Sequence, residues 1–273
     1  MIAPMPATPP VLLGAIPYQN RHVDAWGLDV HHGRRRVKLA MLHLVVGLVV
    51  SAAVAASAHA ESLADLLATV AANARFETPA RADVRIECKG GCRAARAIFL
   101  GRADALYVEV QGGPRALIRP GAILVGSDGH AADAAPDARL GDTDVLLQDL
   151  AVFAPSSLQV PQISDDSPAG VVVTGAPTGR SPYVLLVHTI DREQRVIGKT
   201  QYYRGSIGHL AAIRRDAGWV RVGGHWRPGE VAVESLDRDT TTRLTLTWRE
   251  TPDAPAALFE PAGLERPSGL SWP

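Results

Sequence analysis

The sequence predicts a mainly β protein: an antiparallel sheet of about ten strands, with an N-terminal helix and a mid-chain helix laid over its apolar face. Three observations carry this expectation. Beyond Ala74 the chain breaks into short runs separated by Gly, Pro and Asp, with no length for the crossovers that parallel strands require. The clearest runs are apolar at every second position, so one face packs and the other meets solvent. Two segments instead repeat their apolar residues at helical spacing, and these are the available cover.

The chain opens with an address. Arg34-Arg35-Arg36-Val37-Lys38 precedes the apolar run 39–56, and Ala58-His59-Ala60 follows it. A basic region, an apolar region and a small-residue site form a secretory signal over 34–60, cut after Ala60. The alternative is retention of the apolar run as an inner-membrane anchor, although His43, Gly47 and Ser51 interrupt it. Residues 1–33 stand upstream of the signal, either as sequence added by an early start codon or as a disordered extension. The expected mature chain, 61–273, is a single domain in the periplasm. The full chain has 28 basic and 28 acidic residues, and the basic groups are over-represented before residue 61. The mature part is slightly acidic, which excludes a partner bound through nucleic-acid phosphates.

From Glu61 to Ala74, Leu63, Leu66, Leu67, Val70, Ala71 and Ala74 share one helical face, and Asp65 suits the positive end of the helix dipole. Strands are expected at Val84–Cys88, Ala97–Leu100, Leu106–Val110, Arg115–Val125, Val171–Thr174 and Tyr183–Ile190. More follow at Val196–Tyr203, Leu210–Arg215, Trp219–Val222, Glu230–Leu236 and Arg243–Arg249. Leu106, Val108 and Val110 should share a face with Leu244, Leu246 and Trp248, sending Glu109, Thr245 and Thr247 outward. The second helix is expected over Asp144–Phe153, where Leu146, Leu147, Leu150 and Phe153 are helically spaced before Pro155. The aspartate-bearing stretch Ser127–Asp142 reads as an exposed insertion whose spacing does not match a calcium loop.

Chemistry-bearing motifs are few. Cys88-Lys89-Gly90-Gly91-Cys92 brackets a three-residue turn, and in an exported chain with two cysteines a disulfide is the natural reading, with free thiols the alternative. Gly198-Lys199-Thr200 lacks the first glycine of a phosphate loop, because Glu193 stands there. No G-x-S-x-G elbow and no H-E-x-x-H pair occurs, and His130, His188, His209 and His225 are scattered. The expectation is a non-enzymatic protein with no cofactor and no metal.

The C-terminal half carries a further pattern. Tyr183 to Asp191 is followed by Lys199 with Tyr202-Tyr203, then Gly224-His225-Trp226-Arg227-Pro228, a threonine-rich strand Asp239–Trp248, and a closing Leu258-Phe259 with Leu264. This series resembles the outer-membrane lipoprotein-sorting family, the LolA/LolB-like periplasmic carriers. The resemblance spans 145–267 by motif and 61–144 by the order of elements. It implies a strongly curved, incomplete antiparallel barrel, a half-barrel whose concave apolar face binds acyl chains under helical lids. On that basis Leu106, Val108, Val110, Leu244, Leu246 and Trp248 would face ligand, and Leu147, Leu150 and Phe153 would form a lid. None of the arginines is assigned to the ligand-gating arginine of that family. The implied partners are lipoprotein or lipid acyl chains and inner- or outer-membrane proteins, with the chain itself a monomer. A non-catalytic envelope regulator or scaffold binding a membrane protein through the same fold is the alternative.

Overall fold

The computed structural model describes residues 61–127 and 129–272. The expected signal peptide and the extension before it lie outside the described residues. Helix α1 spans Leu63–Ala74. Its cap is reciprocal: the Ser62 hydroxyl accepts the Asp65 N–H at 3.1 Å and donates to the Asp65 carboxylate at 2.6 Å. Leu66, Leu67 and Val70 are its buried stripe, each contributing about 1.5–3 kcal/mol on full burial.

The strands are β1 (Phe76–Lys89), β2 (Ala95–Ala103), β3 (Ala105–Val110), β4 (Arg115–Arg119), β5 (Ala122–Ser127), β6 (His130–Asp133), β7 (Leu158–Ser167) and β8 (Gly170–Pro177). They continue as β9 (Tyr183–Ile190), β10 (Ile197–Arg204), β11 (Leu210–Ala217), β12 (Val220–Val222), β13 (His225–Arg227), β14 (Glu230–Ser235) and β15 (Thr240–Glu250). Thirteen of them form one antiparallel sheet in the order β6-β5-β4-β3-β2-β1-β15-β14-β11-β10-β9-β8-β7, and β12 pairs with β13 alone. The sheet is long and curved and does not close into a barrel. It consists of two meanders joined at one seam, where β1 pairs with β15 from Ala80↔Glu250 to Lys89↔Thr241.

The strand count exceeds the expected ten because four edge or hairpin segments escaped the alternation rule, among them the three-residue β13. Strand β7 is mostly exposed and carries Gln, Ser and Asp. Strand β6 falls inside the stretch expected to be an exposed insertion. Arg115–Val125 divides into β4 and β5 at the Pro120-Gly121 turn.

The inner face of the sheet, the one toward α1, holds the main apolar cluster. It gathers Leu106, Val108, Val110, Val231, Val233, Leu244 and Leu246 with Phe76, Val84, Ile86, Phe99 and Ile118, and Trp248 packs against it. Gly101 makes room for the Phe76 ring: a Cβ there would meet ring carbons at 2.3–2.4 Å, so the strand needs a residue without a side chain. Leu140, Val145, Leu147 and Leu150 complete this cluster from the segment between β6 and β7.

That segment corrects the expected mid-chain helix. Within Asp144–Phe153 only Leu147–Leu150 is helical, as one 3-10 turn. The four leucine and phenylalanine side chains do not share a face. Leu147 and Leu150 enter the main cluster, Leu146 packs with Tyr183 and Tyr202, and Phe153 packs beside Val173 and Ile190. The preceding turn is fixed by Leu140 N–H to Val145 O at 2.9 Å and by the buried Thr242 hydroxyl, which accepts the Asp144 N–H at 3.1 Å. These ties hold the backbone out of a helix.

The outer face also departs from expectation. Ile98, Leu100, Tyr107 and Leu117 point outward and are buried by Ala254, Leu258, Phe259 and Leu264 of the C-terminal tail. The sheet is therefore covered on its outer face as well, where the tail lies across β2–β6. Gly126 of β5 permits this docking, because a Cβ would lie 2.2 Å from the Leu264 carbonyl oxygen. Glu109 does point outward as alternation requires, yet it is buried beneath the tail, bonded to the Tyr107 and Ser268 hydroxyls. Thr245 and Thr247 are exposed on that face. Cys88 and Cys92 are joined by a disulfide across the β1–β2 turn, with Cα atoms 5.4 Å apart.

Candidate functional site

The two covers lie side by side on the inner face. Helix α1 packs on Leu158, Val171, Val173 and Ile190 of the second meander, and Leu147 and Leu150 pack on the first. Between these covers and the sheet is a cavity of about 910 Å³, within the range of about 300–1,000 Å³ typical of ligand pockets. Its apolar wall includes Phe76, Phe99, Leu106, Leu244, Leu246 and Trp248. Of the residues singled out from sequence, Leu106, Leu244, Leu246 and Trp248 line it, as do Leu150 and Phe153 from the cover. Val108, Val110 and Leu147 belong to the adjoining core and do not reach the wall.

The second meander gives the cavity a polar wall that sequence reasoning missed. Strand register places Val173, His188, Thr200, Arg214, Val233, Thr242 and Cys88 in one transverse row across seven strands. Three consecutive members of the row are polar. His188 Nδ1 lies 2.9 Å from the Thr200 hydroxyl, and burial holds the imidazole neutral with a pKa lowered to about 4, the Arg214 charge adding to the effect. Phe153 stands edge-on to that ring at 5.8 Å.

Arg214 is the centre of the wall. Its Nε and Nη2 both donate to the Asp216 carboxylate at 2.7 Å, a bidentate pair. Burial opposes the guanidinium charge, but Asp216 outweighs it and the pKa is raised. The remaining Nη1 donates to the Asp149 carbonyl in the covering 3-10 turn. The Asp149 carboxyl accepts the Tyr183 hydroxyl at 3.2 Å, and the Tyr183 ring lies 4.6 Å from that of Tyr202. Burial pushes the Asp149 carboxyl up to about 7, against the lowering influence of Arg214 and Tyr183. Burial, with Asp149 nearby, pushes both tyrosines upward as well. The turn is thus latched to the sheet by one carbonyl and one carboxyl of a single residue.

A second arginine on the cavity wall, Arg227, is buried. Arg227 donates from Nη1 to Asn73 O at 2.7 Å and Trp226 O at 3.1 Å, and from Nη2 to Arg75 O. These contacts cap the carboxyl end of α1, where a cation is favoured. Its guanidinium carbon sits 4.2 Å from the Phe76 ring centroid, in cation–π range.

The alternation of Thr200 and Tyr202 in β10 was the one sequence signal of this wall. Its partners come from segments too far apart to be linked by spacing. Among the described residues no group of three or more His, Cys, Asp and Glu could hold a metal ion, and no helix is long and apolar enough to cross a membrane.

No protein-family model and no curated sequence matches the chain. Solved structures do. An outer membrane lipoprotein-sorting protein domain from Vibrio parahaemolyticus is 15% identical with a TM-score of 0.55, covering 73% of this chain and 97% of its own. A DUF1329 family protein from Desulfovibrio piger is 11% identical with a TM-score of 0.58, covering 73% and 96%. A LolA superfamily protein from Nitrosomonas europaea is 16% identical with a TM-score of 0.56, covering 71% and 96%. With the open curved sheet, the covering helix and the cavity between them, the chain has the LolA-like fold.

Proposed function

We propose that this protein is an exported, non-catalytic carrier that holds lipid or lipoprotein acyl chains between the sheet and its cover. The observation that carries the reading is the cavity itself: a trough with one apolar wall, under a two-part cover latched through a single 3-10 turn. A ligand chain entering it gains about 0.8 kcal/mol per buried methylene, enough to offset the loss of cover–sheet contacts. The description of the Vibrio parahaemolyticus neighbour as a lipoprotein-sorting domain supports the same class of cargo.

Native mass spectrometry of protein purified from envelope extract is expected to show a co-purifying acylated species. Phe153→Ala is the matching mutational test. It thins the cover beside His188 without touching the sheet. Because Phe153 is half-buried, the cost should be about 1–2 kcal/mol, below that of a core phenylalanine. Uptake of a fluorescent fatty acyl probe should become faster while the fold survives. If folded wild-type protein takes up no probe and carries no lipid, the carrier reading fails and a scaffold that binds a membrane protein takes its place.

A further inference from the structure

Arg214 and Arg227 on the cavity wall differ in one respect. Arg214 is neutralised in place by its bidentate contact with Asp216. Arg227 is 5% exposed, and no acidic side chain among the described residues lies within ion-pair distance of it. Its contacts are backbone carbonyls and an aromatic ring. Lacking a counter-charge, it feels burial directly, and its pKa is lowered to about 10.

Arg227 also has a nitrogen to spare. Two buried side-chain atoms on the cavity wall have no hydrogen-bond partner, Arg227 Nε and Gln148 Nε2, and both are donors. An unpaired buried donor is costly, and an unpaired buried charge more so. Both costs are relieved by the same kind of group, an acceptor oxygen, and at Arg227 by one that carries negative charge. The neighbouring wall is aromatic, with Phe76, Trp226 and Trp248, so such a group would arrive attached to an apolar chain.

Resting on the carrier reading, we propose that Arg227 is the head-group site of the cavity and that the ligand is an anionic amphiphile, its carboxylate or phosphate oxygen held by Arg227 and its acyl chain lying along Phe76, Phe99, Leu244 and Leu246. Arg214, already paired, takes no part in holding the anion.

The test compares three probes below their micelle concentrations at pH 8: dodecanoate, dodecyl phosphate and the uncharged methyl dodecanoate. Binding is followed by the fluorescence of Trp226 and Trp248 and by calorimetry. The two anions should bind about tenfold or more tightly than the ester, the difference expected of one charge-assisted hydrogen bond. Which anion binds more tightly separates a fatty-acid source from a phospholipid one. In Arg227→Gln the preference for the anions over the ester should vanish. Because Arg227 also caps α1, this variant could loosen the helix, and the wild-type comparison stands without it. Equal affinities for anion and ester in the wild type overturn the head-group site and leave the carrier reading intact. Failure of all three probes to bind overturns the carrier reading and this inference with it.

Discussion

Arg214→Met is expected to destabilise the protein by about 3–5 kcal/mol, because removing one partner of a buried ion pair strands the other. The stranded group is the Asp216 carboxylate, 8% exposed, and the Asp149 carbonyl loses its donor in the same step. A domain with about 5–15 kcal/mol of total stability would keep its fold only narrowly. The double variant Arg214→Met with Asp216→Leu should recover most of the loss, since exchanging both partners for apolar groups removes the charge left without water. Urea unfolding of wild type, both single variants and the double variant measures the coupling directly. Single and double variants that lose the same small amount would show that the pair contributes little. The double variant also separates stability from latching. With the fold restored and the carbonyl of the 3-10 turn still unbound, acyl-probe uptake should exceed that of wild type.

The second large effect is a pair of opposed pH dependences that hide one another in the wild type. The Asp149 carboxyl has its pKa raised from 3.8 to about 7 by burial. Between those values the folded state holds a proton that the unfolded chain releases, so this contribution to stability falls as pH rises through the window. His188 has its pKa lowered from 6.5 to about 4 by burial. The unfolded chain there takes up a proton that the folded state refuses, so this contribution falls as pH drops. Each slope is about 1.4 kcal/mol per pH unit, and between about pH 4 and 6.5 they cancel. Asp149→Asn should unmask the histidine, giving a protein that weakens relative to wild type as the solution is acidified. His188→Gln should unmask the carboxyl and show the reverse. Urea midpoints across the window check both signs, and an Asp149→Asn profile parallel to that of wild type would mean the carboxyl does not titrate there.

The parts of the fold that were legible in sequence are those where burial is periodic. Leu106, Val108 and Val110 meet Leu244 and Leu246 because each strand presents alternate residues to the same cluster. The second face of these strands was missed, although the unbroken apolar run Ala97–Leu100 and Tyr107 between Leu106 and Val108 carried the signal for it. Continuous apolar runs mark a strand buried on both sides, and the tail that covers this one is the Leu258–Leu264 segment. The mid-chain helix was over-read because a loop lying across an apolar sheet buries residues as often as a helix does. Spacing cannot tell one face from three directions. Strand β7 was missed for the converse reason, since an exposed edge has no burial to impose a pattern. The polar wall is a tertiary object. Asp149, Tyr183, His188, Thr200, Tyr202, Arg214 and Asp216 come from a turn and three strands, and each is an ordinary residue where it stands.

The seam between β1 and β15 constrains when the molecule can come into being. Each meander can assemble from local hairpins, but Ala80 must find Glu250, and the tail that buries Ile98 and Leu100 begins only after that residue. Contacts of such sequence separation are slow to form, because loop closure must precede any gain from them. For a chain threaded across a membrane from its N-terminus, β1 emerges first and waits with one edge unpaired until the last strand is delivered. On the export route proposed above, the same separation would work to advantage on the near side, because the sheet cannot be completed before its last strand is made.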